Sequence, residues 1–451
     1  MFDRTSVFGG IGRVFGLREM DGAFTFCRRF CRATTDHVDH CNGDETACGD
    51  SRAMCGVGWH DRSNVSQRNL FKADRLARCD SSGHRRLFIL SGDGSDPDCR
   101  ENPLTEWKVE NNMIKYIQPA PVSEADGMVS EMFKQIKRDF GLVGDLFVMH
   151  SLSPSLLAGV WAAFRETEMV GIVPRAIKEA VATAVAKANE CPFCMDAHST
   201  MLMAVGESDV AYQILGGQIG EISDRKLRSI VEWTLATRVP HSPILQEPPF
   251  TAKETPEIIG TLVMNNYITR MIDVLLTNKS LISVKNSFFS KLTKRLVALL
   301  FSSNLKKEKT IGDSLVFLRD AQLPDDLSWA SSNPVISKAL ANLAAAVDQA
   351  GEADLDDATR SVIKQYVDEW NGAKPSVGRG WVEQVVKPLD APSQAAARLC
   401  LLTAIAPYQI DDTLIDEFRA FFIEDRQLLN VLAWASFTVA RKIGSHLTVP
   451  V

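Results

Sequence analysis

A chain of 451 residues, 45% hydrophobic, holds enough apolar material for two or more cores, and its net charge of −6 argues against nucleic acid as the main partner. No apolar run reaches the ~20 residues a membrane span requires, so none is expected. There is no G-x-G-x-x-G after a strand pattern and no Walker loop, so no nucleotide, flavin or other cofactor is expected either.

Residues 1–112 are unlike the rest. Cys27, Cys31, Cys41, Cys48, Cys55, Cys79 and Cys99 lie there, interspersed with His37, His40, His60 and His84, yet they form no paired C-x-x-C knuckles. Sustained helical or alternating periodicity is absent, and an odd number of cysteines does not suit a secreted disulfide module. The segment is expected to be disordered or not part of the natural product, with Met113 able to serve as a start. "MFDRTSVFGGIGRVFG" contains no continuous apolar signal core, and a cytoplasmic location is expected.

Residues 113–278 read as a helical domain. Pro174 opens a helix whose apolar stripe is Ile177, Val181, Val185 and Ala188, and which should end near Asn189. Pro192 suits the first position of the next helix, with Cys191 as its N-cap and Gly206 closing it. Cys191 and Cys194 then share a first turn, where unpaired N–H groups and the helix dipole favour a thiolate, so lowered thiol pKa values are expected. His198, four residues after Cys194, lies on the same helical face as a base or ion-pair partner. This makes Cys194 the expected nucleophile and Cys191 the resolving thiol. Glu179, beside the small residues Ala182, Thr183 and Ala186, is placed to orient His198 or relay a proton. A zinc site would need a fourth ligand downstream at a typical spacing, which is missing, so no metal is expected.

Residues 279–329 are expected to form a basic linker. Lys279, Lys285, Lys291, Lys294, Arg295, Lys306, Lys307 and Lys309 stand there against Glu308, around the amphipathic "FFSKLTKRLVALLF".

Residues 330–451 carry a faded copy of the earlier unit. "LTAIAPYQIDDTLIDEF" lines up with "ATAVAKANECPFCMDAH", and "DRQLLNVLAW" with "DRKLRSIVEW". Glu179, Cys191, Cys194 and His198 fall opposite Leu399, Asp411, Leu414 and Phe418. The copy keeps the scaffold and loses the redox groups. It is expected to pack against the first half in place of a neighbouring subunit.

A glutamate, a C-x-x-C and a histidine four residues after the second cysteine form a pattern that resembles the alkylhydroperoxidase D-like family of the carboxymuconolactone decarboxylase superfamily. The likeness runs from about Met113 to the C-terminus and includes "EMFKQIKRDFG", "DRKLRSIVEWTLATR" and "PEIIGTLVMNNYITRM". It implies an all-α helical bundle, here duplicated, assembled as a homo-oligomer. It also implies reduction of hydroperoxides with Cys194 as peroxidatic thiol, and an external dithiol donor, either a lipoyl carrier or a thioredoxin-like protein. One position departs from the pattern: the founding alkylhydroperoxidase has a histidine immediately before the second cysteine, and Phe193 stands here. Two alternatives therefore stay open, a dithiol-disulfide oxidoreductase or redox sensor without peroxide turnover, and a carboxymuconolactone decarboxylase-like lyase.

Overall fold

The computed structural model describes residues 113–277, 307–376, 378–447 and 449. The expected extension 1–112 and most of the basic stretch, residues 279–306, lie outside the described residues. The described chain is all-α, as expected: helices and short helical turns, with one isolated bridge between Ile114 and Leu276.

The first half is a succession of helices, two of them almost wholly buried. Amphipathic α1 (Gly127–Phe140) buries Met132, Phe133 and Ile136 and stops at Gly141, whose left-handed backbone suits glycine. The short α2 (Asp145–Val148) precedes α3 (Pro154–Phe164), which is almost wholly buried, in keeping with its sequence PSLLAGVWAAF. A π-helical turn, Arg165–Met169, continues α3 and buries Arg165, Glu166 and Glu168. Then follow α4 (Arg175–Ala188), α5 (Pro192–Ala204), α6 (Ser208–Gly216), α7 (Arg225–Ala236) and α8 (Thr255–Leu275). Along α8 every residue but Asp273 is buried, and several of its polar side chains bond within the helix: Asn265 Nδ2 and Thr269 Oγ1, for example, donate to Thr261 O and Asn265 O.

The second half contributes α9 (Pro334–Asp354), α10 (Asp357–Glu369), α11 (Gly380–Val386), α12 (Ala391–Ile405), α13 (Asp412–Arg419) and α14 (Asp425–Ser445). Helices α8 and α14, each 21 residues long, pack along one another, and α9 packs on α3. The α3–α9 approach is close because Gly159 has no side chain; a Cβ there would lie 2.8 Å from Leu343 Cα. One apolar cluster runs through both halves and includes Trp161, Trp233 and Trp434, each supplying about 4 kcal/mol by area buried. Buried Arg270 of α8 donates to Ala404 O at the end of α12 (2.7 Å), and Arg238 donates to Gly372 O (2.8 Å), so the second half is fastened to the first by hydrogen bonds as well.

From residue 307 onward the stretch expected as linker is packed. Gly312 N–H and Ser314 Oγ donate to the two oxygens of buried Glu166 (2.8 and 2.6 Å), and Arg165 donates to Thr310 O (2.9 Å). These bonds close a buried charge cluster around the π-turn.

Candidate active site

Two prolines and a left-handed residue set the α4–α5 corner. Pro174 is the N-cap of α4, which runs to Ala188 with Asn189 as C-cap. Glu190 then takes φ +57, its N–H bonds Lys187 O (3.1 Å) and the Cys191 N–H bonds Ala186 O (3.1 Å). This is a Schellman closure, and it puts Cys191 directly at the N-cap of α5 with Pro192 in the first turn. Cys191 Sγ accepts from the Cys194 N–H at 3.4 Å.

The four residues singled out by their spacing come together and are buried: Cys191 is 0% exposed, Cys194 1%, Glu179 1% and His198 5%. His198 Nδ1 lies 3.0 Å from Glu179 Oε2, joining α5 to α4. Both thiols are free.

The electrostatics correct one expectation. Both thiols are raised above their ordinary value, because burial penalises the charged sulfur more than the first-turn amide favours it. The negative charge of Asp273 on α8 adds to this. The two sulfurs are not equal, however. The thiol contact between them lowers Cys194 and raises Cys191, so Cys194 is the one that ionises first.

Burial pulls the His198 pKa down, but the hydrogen bond and charge of Glu179 outweigh it and raise it above the ordinary 6.5. Burial would likewise raise Glu179, yet the charges of Arg175 and His198 hold it below its ordinary value. Spacing alone overlooked two neighbours in this network. Arg175, one turn before Glu179, donates from Nε to Glu179 Oε1 (2.7 Å) and from Nη1 to Glu168 O (2.6 Å). Its position four residues from Glu179 was the available signal. Glu168, on the π-turn, accepts from Asn265 Nδ2 (2.7 Å), and burial pushes it up to about 7. Nothing in its sequence context pointed to it.

An apolar cavity of about 110 Å³ opens on this corner. Its lining includes Cys194 and His198 together with Phe140, Phe147, Phe164, Phe193 and Ile268, while Cys191 and Glu179 stand behind it. Small apolar molecules can therefore meet the Cys194 sulfur and the imidazole at once. Among the described residues no three His, Cys, Asp or Glu side chains are grouped as metal ligands would be, and no helix is long and apolar enough to cross a membrane.

Residues 156–215, which span α3 to α6 and all four candidate residues, match the model of the carboxymuconolactone decarboxylase family. The chain is also 36% identical, over 334 residues, to the alkyl hydroperoxide reductase Rv2159c of Mycobacterium tuberculosis (strain ATCC 25618 / H37Rv), covering 74% of this chain and 95% of that protein. The chain belongs to the carboxymuconolactone decarboxylase family, on its alkylhydroperoxidase D-like side. No solved structure matches it. Within this family assignment, the all-helical corner carrying Cys191, Cys194, His198 and Glu179 is the candidate site, and a general oxidoreductase character is supported by the relative's name.

Proposed function

We propose that the chain reduces organic hydroperoxides through a Cys191/Cys194 dithiol, with His198 and Glu179 as proton relay. The observation that carries this is the cavity, which exposes Cys194 and His198 to one small apolar space and keeps Cys191 and Glu179 behind them. The Cys194 thiolate attacks the terminal oxygen of ROOH; an S–O bond forms as O–O breaks, giving a sulfenic acid and an alkoxide. Imidazolium His198 protonates the alkoxide, and the proton lost by Cys194 restores the imidazolium, so thiol plus hydroperoxide gives sulfenic acid plus alcohol. Cys191 then attacks the sulfenic sulfur, forming the disulfide and releasing water. An external dithiol supplies two electrons and two protons to reopen it.

The raised pKa of His198 supports the donor role, and the ionisation order of the two sulfurs supports Cys194 as the attacking one. Burial of both sulfurs favours a slender dithiol arm, such as a lipoyl group on a carrier protein, over the flat face of a thioredoxin-like reductant. A dithiol that must be kept reducible suits a cytoplasmic setting. The homo-oligomer proposed from the family likeness has apolar side chains available to it, such as Ile423 and Phe421. Phe193, in the cavity wall where the founding enzyme has histidine, supports a second reading in which the dithiol exchanges with other disulfides and turns over peroxide slowly or not at all.

The reading is tested by treating Cys191→Ser protein with one equivalent of cumene hydroperoxide in the presence of a sulfenic-acid trap and locating the adduct by peptide mass spectrometry. The adduct is expected on Cys194. A protein left unmodified at Cys194 would favour the exchange reading.

A further inference from the structure

The cavity beside Cys194 contains an acidic side chain that the cycle above leaves idle. Asp145 is part of its lining, and its carboxyl accepts from the Met113 N–H. Its second oxygen, Oδ2, is buried and has no hydrogen-bond partner among the described residues. Buried carboxylate oxygens without partners are uncommon, and one at the wall of a reactive cavity calls for a ligand.

The chemistry of a hydroperoxide supplies one. On leaving water for a cavity walled by Phe140, Leu142, Phe147 and Phe164, the –OOH group loses the water that accepted its hydrogen, which is costly if nothing replaces it. The other polar side chains in the wall are poorly suited to replace it. His198 as imidazolium offers donors and no acceptor, and the Thr200 hydroxyl, which donates to Asp196 O at 2.7 Å, is a neutral and weaker acceptor than a carboxylate.

We propose that Asp145 is a substrate-binding residue: its free oxygen accepts the O–H of the bound hydroperoxide and so holds the terminal oxygen toward Cys194. This inference rests on the peroxidase reading. The hydrogen concerned stays on the terminal oxygen throughout, since that oxygen becomes the sulfenic O–H, so Asp145 gains and loses no proton in the step. The carboxyl is ionised at neutral pH and above even though burial pushes it up to about 6. The substrate class is then a neutral organic hydroperoxide with a compact apolar body and a free O–H.

The test uses full-length protein carrying Cys191→Ser, alone or with Asp145→Leu or Asp145→Asn, and reads modification of the Cys194 peptide by mass spectrometry. Two reagents are compared: cumene hydroperoxide, which has the O–H, and iodoacetamide, which reports thiolate availability without it. With Asp145→Leu the oxidation rate should fall about tenfold or more while alkylation stays within about twofold. Asp145→Asn, which is nearly isosteric and keeps an oxygen acceptor, should fold as the parent does and lose less. Two results would overturn the proposal: unchanged oxidation in both variants, or oxidation and alkylation falling together, which would make Asp145 a determinant of thiol reactivity. A parent that is alkylated but never oxidised at Cys194 would remove the peroxidase reading itself, and this inference with it.

Discussion

Glu179 Oε2 stands 3.0 Å from His198 Nδ1, and this contact ties α4 to α5, the helix that carries the thiols. Both residues are buried, so breaking the pair bears on stability as well as on the proposed proton relay. The signs can be worked out from the shifts. His198 is raised above 6.5, so its contribution is complete below pH 6.5 and is lost as pH rises through the raised value. Glu179 is depressed below 4.5, so its contribution is present above pH 4.5 and is lost as pH falls through the depressed value. Glu168, raised from 4.5 to about 7, loses its contribution between those values. Denaturant unfolding across pH should therefore show greatest stability near pH 4.5 and a decline that continues as pH rises through the raised His198 value. Glu179→Gln should move the alkaline decline to lower pH, because His198 then loses the charge that raised it, and should cost about 3 kcal/mol by leaving Arg175 less well paired. An unchanged profile would show that the pair contributes little.

Asp273 is the residue of α8 that is not buried, and its charge raises both thiols. Asp273→Asn should shift the midpoint of Cys194 alkylation by iodoacetamide to lower pH. It should also speed the reaction at neutral pH, where the parent thiol is mostly protonated. Followed by peptide mass spectrometry, a shift in the opposite direction would contradict the placement of that charge.

Phe193→His introduces a second imidazole into the cavity wall, next to Cys194. If proton delivery limits the parent, hydroperoxide turnover should rise about tenfold or more, with little change in the alkylation rate of Cys194. Equal gains in both rates would instead point to an effect on the thiol.

Gly159→Ala would drive a methyl group into the backbone of α9 at Leu343, and a cost of about 1–3 kcal/mol is expected from thermal or urea unfolding. Removing the chain after residue 330 is the larger version of the same test. It strips α9 from α3 and α14 from α8, and insoluble or aggregated protein is expected. A soluble, active truncation would show that the second half is dispensable.

Much of the α4–α5 corner was legible because proline, cysteine and glycine act locally. Pro174, Pro192 and Gly206 bound the two helices where the structure has them, and the i,i+4 relation of Cys194 to His198 follows from one helix. Asp411 caps α13 by accepting from the Leu414 N–H (3.2 Å), as Cys191 caps α5, while Leu399, Leu414 and Phe418 are core residues. In the sequence comparison DRQLLNVLAW, at the start of α14, lies opposite α7, so the residues of α6 have no counterpart between α13 and α14.

The remainder depends on contacts distant in sequence. Asp145 reaches the cavity from a separate short helix, while Glu168 on the π-turn and Asp273 on α8 act by charge on His198 and on the thiols, and no local spacing relates the three to the C-x-x-C. The sign of the thiol shifts was misjudged for the same reason. A helix N-terminus is visible in sequence, but the burial that outweighs it is a tertiary property.

The most direct test of the account is repeated consumption of cumene hydroperoxide with dihydrolipoamide as reductant, comparing the parent with Cys194→Ser and Cys191→Ser. Many turnovers are expected for the parent, none for Cys194→Ser, and a single equivalent consumed by Cys191→Ser. Full turnover by Cys194→Ser, or no turnover by a parent that still forms the Cys191–Cys194 disulfide, would contradict it.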